Sequence, residues 1–201
     1  MGWRDINMNR RRPQPRVAFV ADVPGADRAA QVLAKAAAAA IGLASQQLGE
    51  STTGGAFLTG YLFGYARQGA LRDGVDGERE SMSALAQALA GVLPERWDID
   101  PGQIEFVQRA TADRMPRTRL RATDAGVDAG YLVGHLEALC GSEKLLRLAL
   151  LRMEQGGDQA AQDFLTDCDV AADPMQTRNP TLALRFHGEE REVIRRAFAP
   201  R

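Results

Sequence analysis

Along most of this chain apolar residues return every third or fourth position, the period of helices that pack on one face. Asp22 and Pro24-Gly25 open the first helix, an alanine-rich run to about Leu48 with Gly49 as its stop. Its small side chains (Ala29, Ala30, Ala34 and Ala36 to Ala40) suit a central, closely surrounded position. A second helix runs from a Ser51-Thr52-Thr53 cap to about Leu71, with Phe57, Leu58, Tyr61, Leu62 and Tyr65 on one continuous face. A third covers about Glu78 to Leu93, closed by Pro94. Asp100-Pro101-Gly102-Gln103 opens a short fourth, ended by Met115-Pro116; it offers an aspartate cap and a proline at the first helical position. The fifth spans Thr123 to about Cys140. Lys144 to Met153 reads as the most apolar helix, six large apolar residues interrupted only by Arg147 and Arg152, so burial on most sides is expected. A short seventh helix is expected over 158–165, a loop over 167–180 and a charged last helix over 188–198.

Only Val17-Ala18-Phe19-Val20-Ala21 and 181–186 depart from this period, and they suit a minor two-stranded β element. The fold class is therefore mainly α: a single-domain helical bundle over 17–201, preceded by a disordered basic arm over 1–16.

Two of the helices resemble each other. Gly60-Tyr61-Leu62-Phe63-Gly64-Tyr65 returns seventy residues later as Gly130-Tyr131-Leu132-Val133-Gly134-His135. Small residues recur every fourth position, at Ala56, Gly60 and Gly64 in one stretch and at Gly126, Gly130, Gly134 and Ala138 in the other. On a helix that spacing forms a bare ridge against which a second backbone can lie. Each interior glycine costs about 1 kcal/mol relative to alanine, so close packing must offset the loss. The match suits an internal repeat of two helical hairpins, about 51–93 and 121–155, packed about a pseudo-twofold axis. A chance match in an alanine- and glycine-rich chain is the alternative.

Composition narrows the partners without naming one. The 201 residues carry a net charge of -1, with no overall bias toward nucleic acid or anionic membrane. No apolar run reaches the roughly 18 residues that span a bilayer. Two cysteines and no secretory leader make a reducing cytoplasm the expected compartment, and the residue balance suits a GC-rich bacterial genome. Positive charge is local: Arg10, Arg11 and Arg12 in the arm, and Arg114, Arg117, Arg119 and Arg121 before the fifth helix. Both are candidate nucleic-acid contacts.

Candidate chemistry is sparse. His135, Cys140, Cys168 and His187 exhaust the soft ligands and lack the close pairing of a zinc site, so no metal and no cofactor are expected. Cys140 closes a helix and Cys168 lies between Asp167 and Asp169, settings that disfavour a thiolate. The glycines lie inside helices and form no phosphate loop. On the glycine helices Tyr61, Tyr65, Tyr131 and His135 are candidates to line a pocket, or else core aromatics. Arg67 and Glu137 occupy equivalent positions and are candidates to pair across the axis.

The expected function is a non-catalytic helical protein-interaction module: an adaptor, chaperone, regulatory subunit or immunity-type inhibitor. Its partner would be another protein or a second copy of itself. A nucleic-acid-binding regulator using the basic clusters is the rival. An enzyme with a carboxylate and arginine pocket invisible to linear motifs is the third reading.

Overall fold

A helix that is apolar on every side belongs in the middle of a bundle, and the two glycine-rich stretches are the helices of that kind. In the structure, a computed structural model that describes residues 26–50, 55–112, 125–173 and 185–199, they form the central pair, α2 (Ala56–Arg72) and α5 (Ala125–Cys140). Around them lie α1 (Ala26–Leu48), α3 (Arg79–Ala90), α4 (Pro101–Ala112), α6 (Leu145–Gln155), α7 (Gly157–Ala171) and α8 (Glu189–Ala197). The mainly helical bundle read from periodicity is what the chain forms. Among the described residues there is no strand. Arg185 and Phe186 lie outside any helix or strand, before α8. The rest of the expected β element, 17–21 and 181–184, falls outside the described residues, as does the basic arm 1–16.

The contact between α2 and α5 organises everything else. A Cβ placed on Gly60 would lie 2.0 Å from the Val127 carbonyl oxygen, and one on Gly64 would lie 2.2 Å from that of Tyr131. In the opposite sense, a Cβ on Gly130 would stand 1.9 Å from the Phe57 oxygen and one on Gly134 would stand 2.2 Å from that of Tyr61. Residue numbers rise together along the two helices, so the pair is parallel. The offset of seventy that aligns the two stretches also maps one set of contacts onto the other. At each glycine the Cα hydrogen takes the place of the missing methyl and points at a carbonyl of the facing helix. Such Cα–H···O contacts are worth roughly 0.5–1 kcal/mol each.

The outer helices then close on this pair by stripes of larger side chains. On one side α1 packs on α2 and α3, and α4 packs on α2 and α3; on the other α8 covers α5, and α7 lies between α6 and α8. Met82, Leu85 and Leu89 of α3, Ile104 and Val107 of α4, Phe164 and Leu165 of α7 and Val193 and Ile194 of α8 are all buried in one continuous core.

Three expectations from the sequence need correction. The alanine-rich α1 is peripheral: Leu33, Ala36, Ala37, Ala40 and Ala44 face inward, while Ala30, Ala34, Ala38 and Gly42 are exposed. Alanine holds a helix without any partner, so alanine content carries no information about depth. The leucine-rich α6 is not surrounded either. It buries only Leu145, Leu146 and Ala149, leaves Leu148, Leu150 and Met153 partly covered, and exposes Leu151. Finally, α7 runs on through the supposed loop to Ala171. Cys168 and Ala171 extend the buried stripe of Phe164 and Leu165, and the intervening aspartates sit at its margin.

Candidate functional site

The N-terminus of α6 poses a problem that its own sequence leaves unsolved. The first N–H groups of a helix have no intrahelical acceptor, and the residue at the cap is Lys144, whose side chain has only donors and makes no cap bond. The acceptors come from other helices. Gly141, at φ 68°, turns the chain sharply after α5 and brings α6 back beside it. Glu137 of α5 then accepts from Leu145 N–H at Oε1 (2.8 Å) and from Leu146 N–H at Oε2 (3.3 Å). Gln47, near the end of α1, accepts from Arg147 N–H at 3.1 Å through Oε1.

The same two side chains reach α2. Tyr61 donates its hydroxyl to Glu137 Oε2 at 2.8 Å, and Gln47 Nε2 donates to Glu137 Oε2 at 3.2 Å and to the Tyr61 oxygen at 3.3 Å. One buried carboxylate therefore joins α2, α5 and α6, and Gln47 adds α1. Glu137 is 0% exposed and every partner it has is a donor, the arrangement an ionised carboxylate requires. Burial pushes the Glu137 carboxyl up from its ordinary value, and the Leu145, Tyr61, Gln47 and Leu146 donors pull it back without cancelling the shift. Burial first, and then the adjacent Glu137 charge, push the Tyr61 phenol far above its usual range.

The other end of the sequence match carries the matching contact with opposite charge. Arg67, equivalent to Glu137, donates through Nη1 to the hydroxyl of Tyr131, equivalent to Tyr61, with its guanidinium 6.0 Å from that ring. The expected ion pair between Arg67 and Glu137 is thus not made. Each long polar side chain takes the tyrosine of the opposite helix, because the parallel register brings 67 to 131 and 137 to 61. Tyr61 stacks on Tyr65 and Tyr131 on His135, with centroids 6.1 and 6.3 Å apart. Tyr61 and Tyr131 are core residues; Tyr65 borders a cavity.

That cavity, of about 120 Å³, lies where α2 and α5 end and is lined by Tyr65, Arg72, Ala138, Leu139, Gly141, Ser142 and Glu143. It is large enough to admit water. A broader groove of about 430 Å³ lies at the opposite end of the pair, bordered by Ala56, Asp100, Gly102, Gln103, Phe106 and Val127. Glu137, the carboxylate with a raised pKa that an enzymatic reading would seek, lines neither of these spaces.

Of the remaining ridge positions, Gly126 and Ala138 are buried and Ala56 is partly covered. The candidate nucleic-acid residues Arg10, Arg11, Arg12, Arg114, Arg117, Arg119 and Arg121 lie outside the described residues. Both cysteines are buried and unpaired, and burial raises each thiol; for Cys168 the Asp167 and Asp169 charges add to the rise. Among the described residues no three histidine, cysteine or acidic side chains gather to hold a metal, and no helix is long and apolar enough to cross a membrane.

Sequence reasoning missed Gln47 and Thr59. Gln47 continues the buried stripe of α1 (Leu33, Ala36, Ala37, Ala40, Ala44), and a glutamine on an apolar stripe signals a buried partner. Thr59, fully buried, bonds the Gly55 carbonyl at 3.0 Å and Gln103 Oε1 at 3.4 Å, linking α2 to α4. Compared with protein-family models, with curated proteins and with solved structures, the chain matches none.

Proposed function

We propose that this chain is a non-catalytic helical protein-interaction module, acting as an adaptor, chaperone, regulatory subunit or immunity-type inhibitor of another protein. The observation that carries the reading is α6. Of its eleven residues six are large and apolar, yet only Leu145 and Leu146 of these are fully buried, and Leu151 stands half exposed on the outer surface. A contiguous apolar patch that intramolecular packing leaves uncovered marks a contact face, and Leu148, partly covered, and Leu151, half exposed, lie side by side on this helix. The polar network beneath α6 adds to this: it uses its acceptors to hold α6 in place and presents a rigid helix outward. The reading includes an internal repeat, about 51–93 and 121–155, supported by contacts that correspond under the seventy-residue offset.

The test is size-exclusion chromatography of gently crosslinked native-cell extract, with the tagged full chain at native abundance, followed by mass spectrometry. A stoichiometric complex with a second protein, or a homodimer, supports the reading. A chain that elutes alone at 21.8 kDa under all conditions refutes it.

A further inference from the structure

We propose that the outer face of α6 is a docking site for an acidic amphipathic helix of the partner protein; this rests on the reading of the chain as an interaction module. On a helical projection the buried residues Leu145, Leu146 and Ala149 point one way, and Leu151 lies at the centre of the opposite side. Lys144 and Arg147 flank Leu151 toward the N-terminus, Leu148 lies beside it, and Glu154 marks the C-terminal edge. Leu151 is 49% exposed, and Lys144 and Arg147 are exposed as well.

Among the described residues the two cations have no ion-pair partner, and the backbone N–H of Arg147 is already satisfied by Gln47. Arg152, toward the inner edge of the same helix, is held instead by Asp163 at 3.5 Å and Asp167 at 3.6 Å. So α6 anchors its inner arginine to α7 and leaves its outer cations for another molecule. Glu143 is directed elsewhere, lining the cavity with Arg72.

A convex helix about 10 Å long from Lys144 to Leu151 matches the face of a second helix packed against it. Such a helix would lay apolar anchors, spaced three or four residues apart, over Leu148 and Leu151 and set carboxylates against Lys144 and Arg147. An anionic membrane is the weaker fit, because two cations around one half-exposed leucine fall short of what stable bilayer binding requires.

The probe is a fluorescein-labelled synthetic 18-residue helix with leucines at three- and four-residue spacing flanked by glutamates, paired with a twin carrying lysine at every glutamate. Binding to the full chain is read by anisotropy at low and at physiological salt. The acidic helix is expected to bind at least tenfold more tightly than its twin, and more weakly as salt rises. Leu151→Glu and Arg147→Glu should each weaken it by tenfold or more, with circular dichroism and melting unchanged, and Arg147→Glu should narrow the preference between the twins. Equal binding of the two helices, or no response to Leu151→Glu, overturns the proposal. So does a concentration-dependent dimer that Leu151→Glu abolishes, which would make the occupant a second copy. Capture on phosphatidylserine vesicles that is lost with Leu151→Glu also overturns it. A native partner recovered equally by the parent and by both variants sinks this docking site while leaving the interaction-module reading intact; a chain without any partner sinks that reading.

Discussion

Replacing Gly130 with alanine sets two physical effects of opposite sign against each other. Helix propensity alone predicts a gain of about 1 kcal/mol, since glycine inside a helix is the poorer choice by that amount. The facing backbone predicts a loss. The new methyl would sit 1.9 Å from the Phe57 oxygen, 2.8 Å from its carbonyl carbon and 2.9 Å from Tyr61 N, where ordinary contact begins at 3.4 Å. These are main-chain atoms of a helix and cannot rotate aside, so α2 and α5 must part by about 1.5 Å. Overpacking of that severity costs about 3 kcal/mol, at the upper end of the usual range. Parting the helices also stretches the Cα–H···O contacts at Gly60, Gly64 and Gly134, each worth roughly 0.5–1 kcal/mol. The loss wins, by roughly 3.5–5 kcal/mol net. For a domain of this size that is a fall in Tm of roughly 7–20 °C. Two glycines on helices nearby are built-in controls. A methyl on Gly69 of α2 would meet only the Ala36 Cβ at 3.8 Å, and one on Gly42 of α1 would meet nothing within 4 Å. Gly69→Ala and Gly42→Ala should therefore each stabilise by about 0.5–1 kcal/mol from propensity. Thermal and urea unfolding followed at 222 nm report all three. A Gly130→Ala protein that melts at or above the parent refutes the close-packed pair.

The buried network makes its own predictions. Tyr61→Phe removes one hydrogen bond to an enclosed carboxylate and should destabilise by about 1.5–3 kcal/mol, without changing the urea m-value. Because burial raises the Glu137 pKa, the native state holds that proton more tightly than the unfolded chain does. Its contribution to stability is therefore fully present below the ordinary glutamate value of about 4.3 and is lost as pH rises through the folded value. Subtracting the pH profile of Glu137→Gln from that of the parent isolates this slope, and a difference that rises with pH in that window would contradict it. Cys140 and Cys168, buried and with thiols pushed up, should resist Ellman's reagent in the native protein and react together on unfolding. Prompt labelling of either in the folded chain would show that its helix opens.

What the sequence carried, and what it withheld, follows from the range over which each constraint acts. Close helix packing writes a local rule, a small residue every fourth position, and Gly60, Gly64, Gly130 and Gly134 obey it within single helices. Depth in the bundle is not written locally. An exposed alanine in α1 and a buried one look alike, and α6 owes its peripheral place to neighbours far away in the chain. The Glu137 network is more distant still, since its partners Tyr61 and Gln47 lie 76 and 90 residues upstream. Its trace is a pair of anomalies: a lysine at the start of α6 where a capping acceptor belongs, and a glutamine on the apolar stripe of α1. Each alone reads as noise, and together they require an acceptor from elsewhere. Position 137 meets that need, whereas its counterpart holds Arg67, whose charge would repel a helix N-terminus. On that side the Glu78 cap of α3 makes no side-chain bond, and Asp76 before it accepts from Glu78 N–H and Ser81 Oγ. The two glycine helices thus share a packing rule and a tyrosine but differ in the one charge that fixes the next helix. That difference leaves α6 tied down from beneath, with Leu151, Lys144 and Arg147 turned outward.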